Sequence, residues 1–233
     1  MIRLCIFDLD GTTVNSLRSI AHFANETLRR YGYPPFPEDD YRHLAGGGAK
    51  ALWTNIIKAS GAPESLLEDM KNDWLRAYEA DFLYLTEGYE GITDLLRALK
   101  AAGIHTAIVT NKAKAIAEKI CESCFGAALL DEVISDHPGM VLKPAPDELI
   151  KLKQKYGLRD GEVMYCGDHV IDMQTGKNAG AVTVGVTWGF HTAEALKEAG
   201  ADYVATHPSQ IADIALHRGD HRAVSGPNSA DGV

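Results

Sequence analysis

Leu4-Cys5-Ile6-Phe7-Asp8-Leu9-Asp10-Gly11-Thr12-Thr13 is the stretch from which the rest of the chain can be read. Four consecutive apolar residues near the start of a chain with ordinary globular composition predict a short strand buried on both faces. Residues i and i+2 of a strand face the same way, so Asp8 and Asp10 are expected to leave the strand end towards one spot. Two carboxylates side by side at the end of a buried strand are costly unless a cation or a shared proton lies between them. Packing gives no reason for such a pair, and chemistry does.

Outward from this strand, further apolar runs end at polar residues. His105–Val109 ends at Thr110-Asn111-Lys112, Val133–Ser135 at Asp136, and Glu162–Cys166 at Gly167-Asp168, while Ala181–Val186 reads as a last core strand. Helical patterns lie between them, at 91–102, 113–124, 145–156 and 172–179, with Gly103, Gly157 and Gly180 as stops. Strands alternating with helices of this length predict a parallel sheet covered on both faces, of Rossmann-like α/β class. In such sheets ligands bind at the carboxyl ends of the strands, where these polar residues fall.

The alternation breaks between residues 15 and 85. Helical patterns at 16–31, 39–44, 49–60 and 64–84 follow one another with no convincing strand, punctuated by Tyr33-Pro34-Pro35-Phe36-Pro37 and Gly46-Gly47-Gly48. The expected organisation is a core segment at 1–14, a small all-helical cap inserted after the first strand at 15–85, the α/β core at 86–216, and a polar, loose tail at 217–233.

The 233 residues suffice for one such domain with an insert. A net charge of −9 argues against a nucleic-acid backbone or an anionic membrane as partner. No run approaches the ~18 apolar residues of a membrane span, and Asp8 and Asp10 interrupt any signal peptide, so the cytoplasm is the expected location. Four cysteines do not make a disulfide framework. Cys121 and Cys124 have the spacing of half a zinc site but no second pair, so buried helix cysteines are the better reading. Residues 175–180 lack the glycine and hydroxyl of a phosphate loop.

Four elements carry chemistry. Asp8 is placed to attack an electrophilic phosphorus and form an acyl-phosphate, and Asp10 to protonate the leaving alkoxide and then deprotonate a water. Thr110 and Asn111 can donate to phosphoryl oxygens, although Thr-Asn is also an ordinary helix cap. Lys143, in Leu142-Lys143-Pro144-Ala145-Pro146, is presented from a rigid turn as a fixed charge, although a lysine beside prolines is usually a solvated loop residue. Asp168 and Asp172 extend the acidic cluster, or else cap a helix. Asp8, Asp10, Asp168 and Asp172 form an oxygen-only set that favours Mg²⁺ over Zn²⁺.

These ordered segments resemble the four motifs of the haloacid dehalogenase superfamily. They are Phe7-Asp8-Leu9-Asp10-Gly11-Thr12, Val109-Thr110-Asn111-Lys112, Lys143-Pro144-Ala145-Pro146 and Gly167-Asp168 with Asp172. The resemblance implies Asp8 as nucleophile and Asp10 as acid and base. It also implies Mg²⁺ held by Asp8, the Asp10 backbone carbonyl and Asp168, a phosphoryl group bound by Thr110 and Lys143, and Asp172 supporting the ion or the lysine. Leu44-Ala45-Gly46-Gly47-Gly48-Ala49, the run Gly176–Gly180 and the run Val184–Gly189 resemble phosphoglycolate phosphatases. Two residues depart from the family pattern: Asn15 stands where aspartate is usual, and His169 where a small hydroxyl residue is common.

The expected activity is therefore Mg²⁺-dependent hydrolysis of a small phosphate ester such as 2-phosphoglycolate, through an aspartyl-phosphate. Arg42, His43, Gly46, Gly47, Gly48 and Lys50 are the candidates for substrate selection in the cap. A sugar-phosphate mutase would keep the same two aspartates, and a binding or regulatory module could retain the fold without turnover. Carbon–halogen hydrolysis would leave Asp10 without a task, because a halide needs no proton. The oligomeric state stays open.

Overall fold

β1 (Leu4–Phe7) is buried at all four positions, and its side chains divide between two cores. Cys5 and Phe7 join one apolar cluster, Leu4 and Ile6 the other. That division explains an uninterrupted apolar run: a central parallel strand has no solvent face. The computed structural model describes residues 1–126 and 128–217. After β1 the chain forms β2 (Val14–Asn15), then α1 (Leu17–Arg30), α2 (Tyr41–Leu44), α3 (Ala49–Ser60) and α4 (Leu67–Ala80), with 3₁₀ turns at Glu38–Asp40 and Glu64–Leu66. It returns through β3 (Glu87–Gly88), which pairs antiparallel with β2. The helical segment thus leaves and re-enters through a two-stranded ribbon beside the end of β1.

The remainder alternates. α5 (Ile92–Ala101), β4 (His105–Ala113), α6 (Lys114–Phe125), β5 (Glu132–Asp136), α7 (Asp147–Lys155), β6 (Val163–Gly167), α8 (Val170–Asn178), β7 (Val182–Val186), α9 (Ala193–Glu198), β8 (Tyr203–Ala205) and α10 (Pro208–His217) follow in order. The sheet order is β5-β4-β1-β6-β7-β8, and every pairing in it is parallel. The chain steps from β1 to β4 on one side and to β6 on the other, which makes their carboxyl ends the switch point where α/β sheets bind ligands. Among the described residues no helix is long and apolar enough to cross a membrane.

Several expectations are corrected. Ala181–Val186 is not the last core strand, because the short, half-buried β8 lies beyond it. Helix α4 stops at Ala80 rather than at 84, where Asp81 leaves helical geometry. The helix after Gly167-Asp168 starts at Val170, before Asp172, because His169 caps it: the ring Nδ1 accepts from Ile171 N–H at 3.1 Å, and His169 N–H donates to Asp172 Oδ2 at 3.1 Å. β4 runs on through Thr110-Asn111-Lys112 to Ala113, with a register shift after Val109. Only His217 of the expected tail lies within the described residues, where it ends α10, and 218–233 lie outside them.

Candidate active site

The ends of β1, β4 and β6 open into a cavity of about 300 Å³. Core residues floor it, and the glycine loop 46–48 with α4 lines the opposite side. β1 ends at Phe7, so strand alternation does not extend through Asp8 and Asp10. Both line the cavity, but their carboxylates have different partners.

Asp8 belongs to a buried cluster with Asp168 and Asp172, in which one carboxylate oxygen of each lies within 4.8 Å of the others. Lys143 Nζ stands between two of them, 2.8 Å from Asp8 Oδ1 and 2.7 Å from Asp172 Oδ1. The contact with Asp8 has ion-pair distance without hydrogen-bond alignment, which leaves Asp8 Oδ1 buried with no aligned donor. Burial pushes the Asp8 carboxyl up to about 7, against the pull of Lys143. Burial likewise raises Asp168, with Asp172 and Asp8 adding to it. Burial works to lower the Lys143 ammonium, but Asp172 and Asp8 outweigh it and hold it above the usual lysine value.

Asp168 is fixed from two sides: Thr12 Oγ1 donates to Oδ1 and Phe190 N–H to Oδ2, each at 2.8 Å. Gly11 (φ +80°) and Gly189 pack onto it so closely that a Cβ on either would lie under 2.5 Å from an Asp168 atom. Only glycine leaves room there. Asp172 is held by Lys143, by the Tyr165 hydroxyl at 3.0 Å and by the His169 backbone.

Asp10 faces elsewhere. Lys112 Nζ lies 2.9 Å from each of its oxygens, and Ser16 Oγ donates to Oδ1 at 2.5 Å. Thr110 is buried beside them, and its Oγ accepts from Lys112 N–H at 3.3 Å. The Asn111 amide ties down the Lys143 turn: Oδ1 accepts from Lys143 N–H at 3.0 Å, and Nδ2 reaches Lys143 O at 3.4 Å.

Of the six cap candidates, Gly46, Gly47, Gly48 and Lys50 line the cavity, while Arg42 and His43 do not. Arg42 instead donates to Gly189 O at 2.5 Å, tying α2 to the core loop. Lys50 makes no ion pair among the described residues. The three glycines have φ of +106°, +74° and +87°, and a Cβ on Gly46 would lie 2.5 Å from His169 Nε2. Burial, then the neighbouring His191 ring at 4.1 Å, lowers the His169 imidazole to about 4, so it is neutral beneath that loop.

Sequence reasoning missed Ser16, Lys112 and the α4 residues Lys71, Trp74, Leu75 and Tyr78, which line the cavity or hold Asp10. Lys112 was within sight, directly after Thr110-Asn111. The α4 residues repeat at helical spacing, which looks the same for a core helix and for a pocket wall.

Residues 5–186 match the family model described as haloacid dehalogenase-like hydrolase, and the chain belongs to that family. It is 29% identical to an N-acetylmuramic acid 6-phosphate phosphatase of Pseudomonas aeruginosa over 91% of this chain and 94% of that one. It is equally 29% identical to a phosphoglycolate phosphatase of Vibrio parahaemolyticus, over 91% and 96%. A solved structure from Haemophilus somnus, described as a predicted phosphoglycolate phosphatase, superposes with a TM-score of 0.85 at 26% identity, covering 91% and 97%. The expected class of enzyme, a phosphoric monoester hydrolase, agrees with the names of these relatives.

Proposed function

We propose that this protein is a Mg²⁺-dependent phosphatase that hydrolyses a small phosphate monoester carrying a carboxylate, through an aspartyl-phosphate on Asp8. One observation carries the reading: the two neighbouring aspartates sit in different electrostatic surroundings. Asp8 shares a buried cluster with two carboxylates and a lysine, while Asp10 is held apart by Lys112 and Ser16. Paired carboxylates in contrasting surroundings suit one nucleophile and one proton carrier.

Three carboxylates against one lysine leave a surplus of two negative charges when all are ionised, which a divalent cation would balance. An all-oxygen donor set suits Mg²⁺. Asp8 Oδ1, without an aligned donor, fits such a role, and Asp168 and the Asp10 carbonyl would complete the protein's share. When bound, the ion supplies Lewis-acid neutralisation of charge on the phosphoryl oxygens.

An Asp8 oxygen attacks phosphorus and the ester P–O bond breaks, while Asp10 gives its proton to the departing alkoxide. Water then attacks the phosphorus of the aspartyl-phosphate, Asp10 takes up a proton, and the bond to Asp8 breaks to release phosphate. Lys143 balances charge on Asp8 and on the phosphoryl group, and Thr110 donates its hydroxyl to a phosphoryl oxygen. Asn111 acts by fixing the Lys143 turn. Asp172 orients the lysine.

The helical segment serves as a cap over the leaving group. Both relatives above are named for substrates that are carboxylic acids, and Lys50, with no ion-pair partner among the described residues, offers a cation at the cavity wall. A cavity of about 300 Å³ is at the small end of ligand pockets, as a metabolite-sized ester requires.

The test is phosphate release from a panel with and without Mg²⁺: 2-phosphoglycolate, N-acetylmuramic acid 6-phosphate, pyrophosphate, nucleoside monophosphates and β-glucose 1-phosphate. Mg²⁺-dependent release favouring the two carboxylate-bearing esters is the expected result. Isomerisation of glucose 1-phosphate without release would favour a mutase, and no turnover on any ester would overturn the proposal.

A further inference from the structure

Lys112 is a buried cation that the chemistry above does not use, and it sits between Asp10 and the helical segment. Its ammonium is equidistant from both Asp10 oxygens, at 2.9 Å. On its other side it lies 4.7 Å over the ring centre of Tyr78, a fully buried residue of α4. Tyr78 is fixed in turn by Trp74, stacked at 5.1 Å and 16°, and by the edge of Phe23 from α1 at 5.7 Å. The second group on Asp10, Ser16, immediately precedes α1. Ser16 therefore ties Asp10 to the start of α1, and Lys112, itself on β4, reaches α4 through the Tyr78 ring.

A cation gripping both oxygens fixes the rotation of a carboxylate, which a single hydrogen bond does not. An aromatic face behind the ammonium holds it by cation–π attraction. Withdrawing α4 would remove that face and leave the lysine free to follow water. Building on the proposed phosphatase mechanism, we propose that Lys112 is a positioning residue for Asp10 and that Tyr78 couples it to the seating of α4. Asp10 is then aligned for proton transfer only while the helical segment covers the cavity. This coupling matches proton transfer to the presence of a leaving group, because the same helix lines the space the leaving group would fill.

The test measures kcat and KM with p-nitrophenyl phosphate and with the best panel substrate, alongside thermal melting of each variant. Lys112→Met is expected to lower kcat about 100-fold on the best panel substrate, and by less on p-nitrophenyl phosphate, while KM stays within about threefold, since the loss falls on proton transfer rather than on binding. Tyr78→Leu is expected to lower kcat about tenfold, and Tyr78→Phe, which keeps the ring face, to recover most of that loss. The double variant Lys112→Met/Tyr78→Leu should lose no more than Lys112→Met alone, because the two act through one contact. A Lys112→Met enzyme with kcat on the best panel substrate within about twofold of wild type overturns the proposal, as does a double variant in which the two losses multiply. Should Lys112→Met not fold, the Tyr78 pair decides: full kcat in Tyr78→Leu, or no recovery in Tyr78→Phe, is equally fatal. A wild type inactive on every ester would overturn the phosphatase reading and this one with it, whereas an active wild type with unaffected variants overturns the coupling alone.

Discussion

The floor and the wall of the cavity are built differently. On the floor, Asp8, Lys143, Asp168 and Asp172 are buried, and each carboxylate is fixed by named partners from other strands and loops. On the wall, Gly46–Gly48 carry no side chains, Lys50 has no ion-pair partner among the described residues, and Trp74, Leu75 and Tyr78 offer mainly apolar surface. A floor so tightly interlocked has little freedom to change without losing charge balance. Lys50 on the wall is exposed and can change at small cost to stability. In the proposed function the floor fixes the reaction, while the wall selects the substrate and reaches the reaction through Tyr78, and substitutions in each can break this contrast or sharpen it.

The largest effect belongs to the floor. Asp8→Asn removes the proposed nucleophile and should lower kcat by at least about 10⁴-fold with no drop in melting temperature, measured by phosphate release and thermal melting. A variant that keeps even one-tenth of wild-type turnover would remove Asp8 from the mechanism. Asp10→Asn should lower kcat by about 10²- to 10⁴-fold, and the loss should shrink for p-nitrophenyl phosphate, whose phenolate leaves with little need of a proton. An equal loss for both substrates would deny Asp10 its acid role.

Lys143→Met tests the floor's stability. Without the ammonium, Asp8 and Asp172 face each other buried and unpaired, which should cost about 3 kcal/mol or more in chemical denaturation, together with turnover. Unchanged stability would mean that the cluster is balanced in some other way.

On the wall, the smallest effect is expected from Lys50→Ala. KM for a carboxylate-bearing ester should rise a few-fold, as for an exposed ion pair worth about 1 kcal/mol or less, and kcat should hold. KM for p-nitrophenyl phosphate should not move. If Lys50→Ala changed kcat on both substrates alike, the division between floor and wall would fail.

The same contrast governs how much of this was legible in the sequence. Asp8 and Asp168 stand just past strand ends, so short apolar runs followed by Asp8, Thr110 and Asp168 located three of the strands and much of the site together. Lys143 was legible from its prolines. Alternation could not reveal that Asp8 and Asp10 take different partners, because β1 ends at Phe7 and their orientation is set by loops. Asn111 read as a phosphate donor, yet its amide holds the Lys143 turn, a pairing across 32 residues that no local pattern carries. β8 was missed because its apolar run, Tyr203-Val204-Ala205, is only three residues long. Helices α1, α3 and α4 were readable from periodicity, but which of their residues meet the cavity depends on how the segment sits against the sheet. Arg42 shows this well: a candidate for substrate by charge, it is turned to the Gly189 carbonyl.

The central claim is that Asp8 carries the phosphoryl group during turnover. Rapid quenching of the enzyme in acid during reaction with a ³²P-labelled substrate, followed by peptide mapping, tests it directly. The account predicts label on the peptide containing Asp8, cleavable by hydroxylamine as an acyl-phosphate is, and no label in Asp8→Asn. Turnover with no protein-bound label at any quench time, or label on another residue, would contradict it.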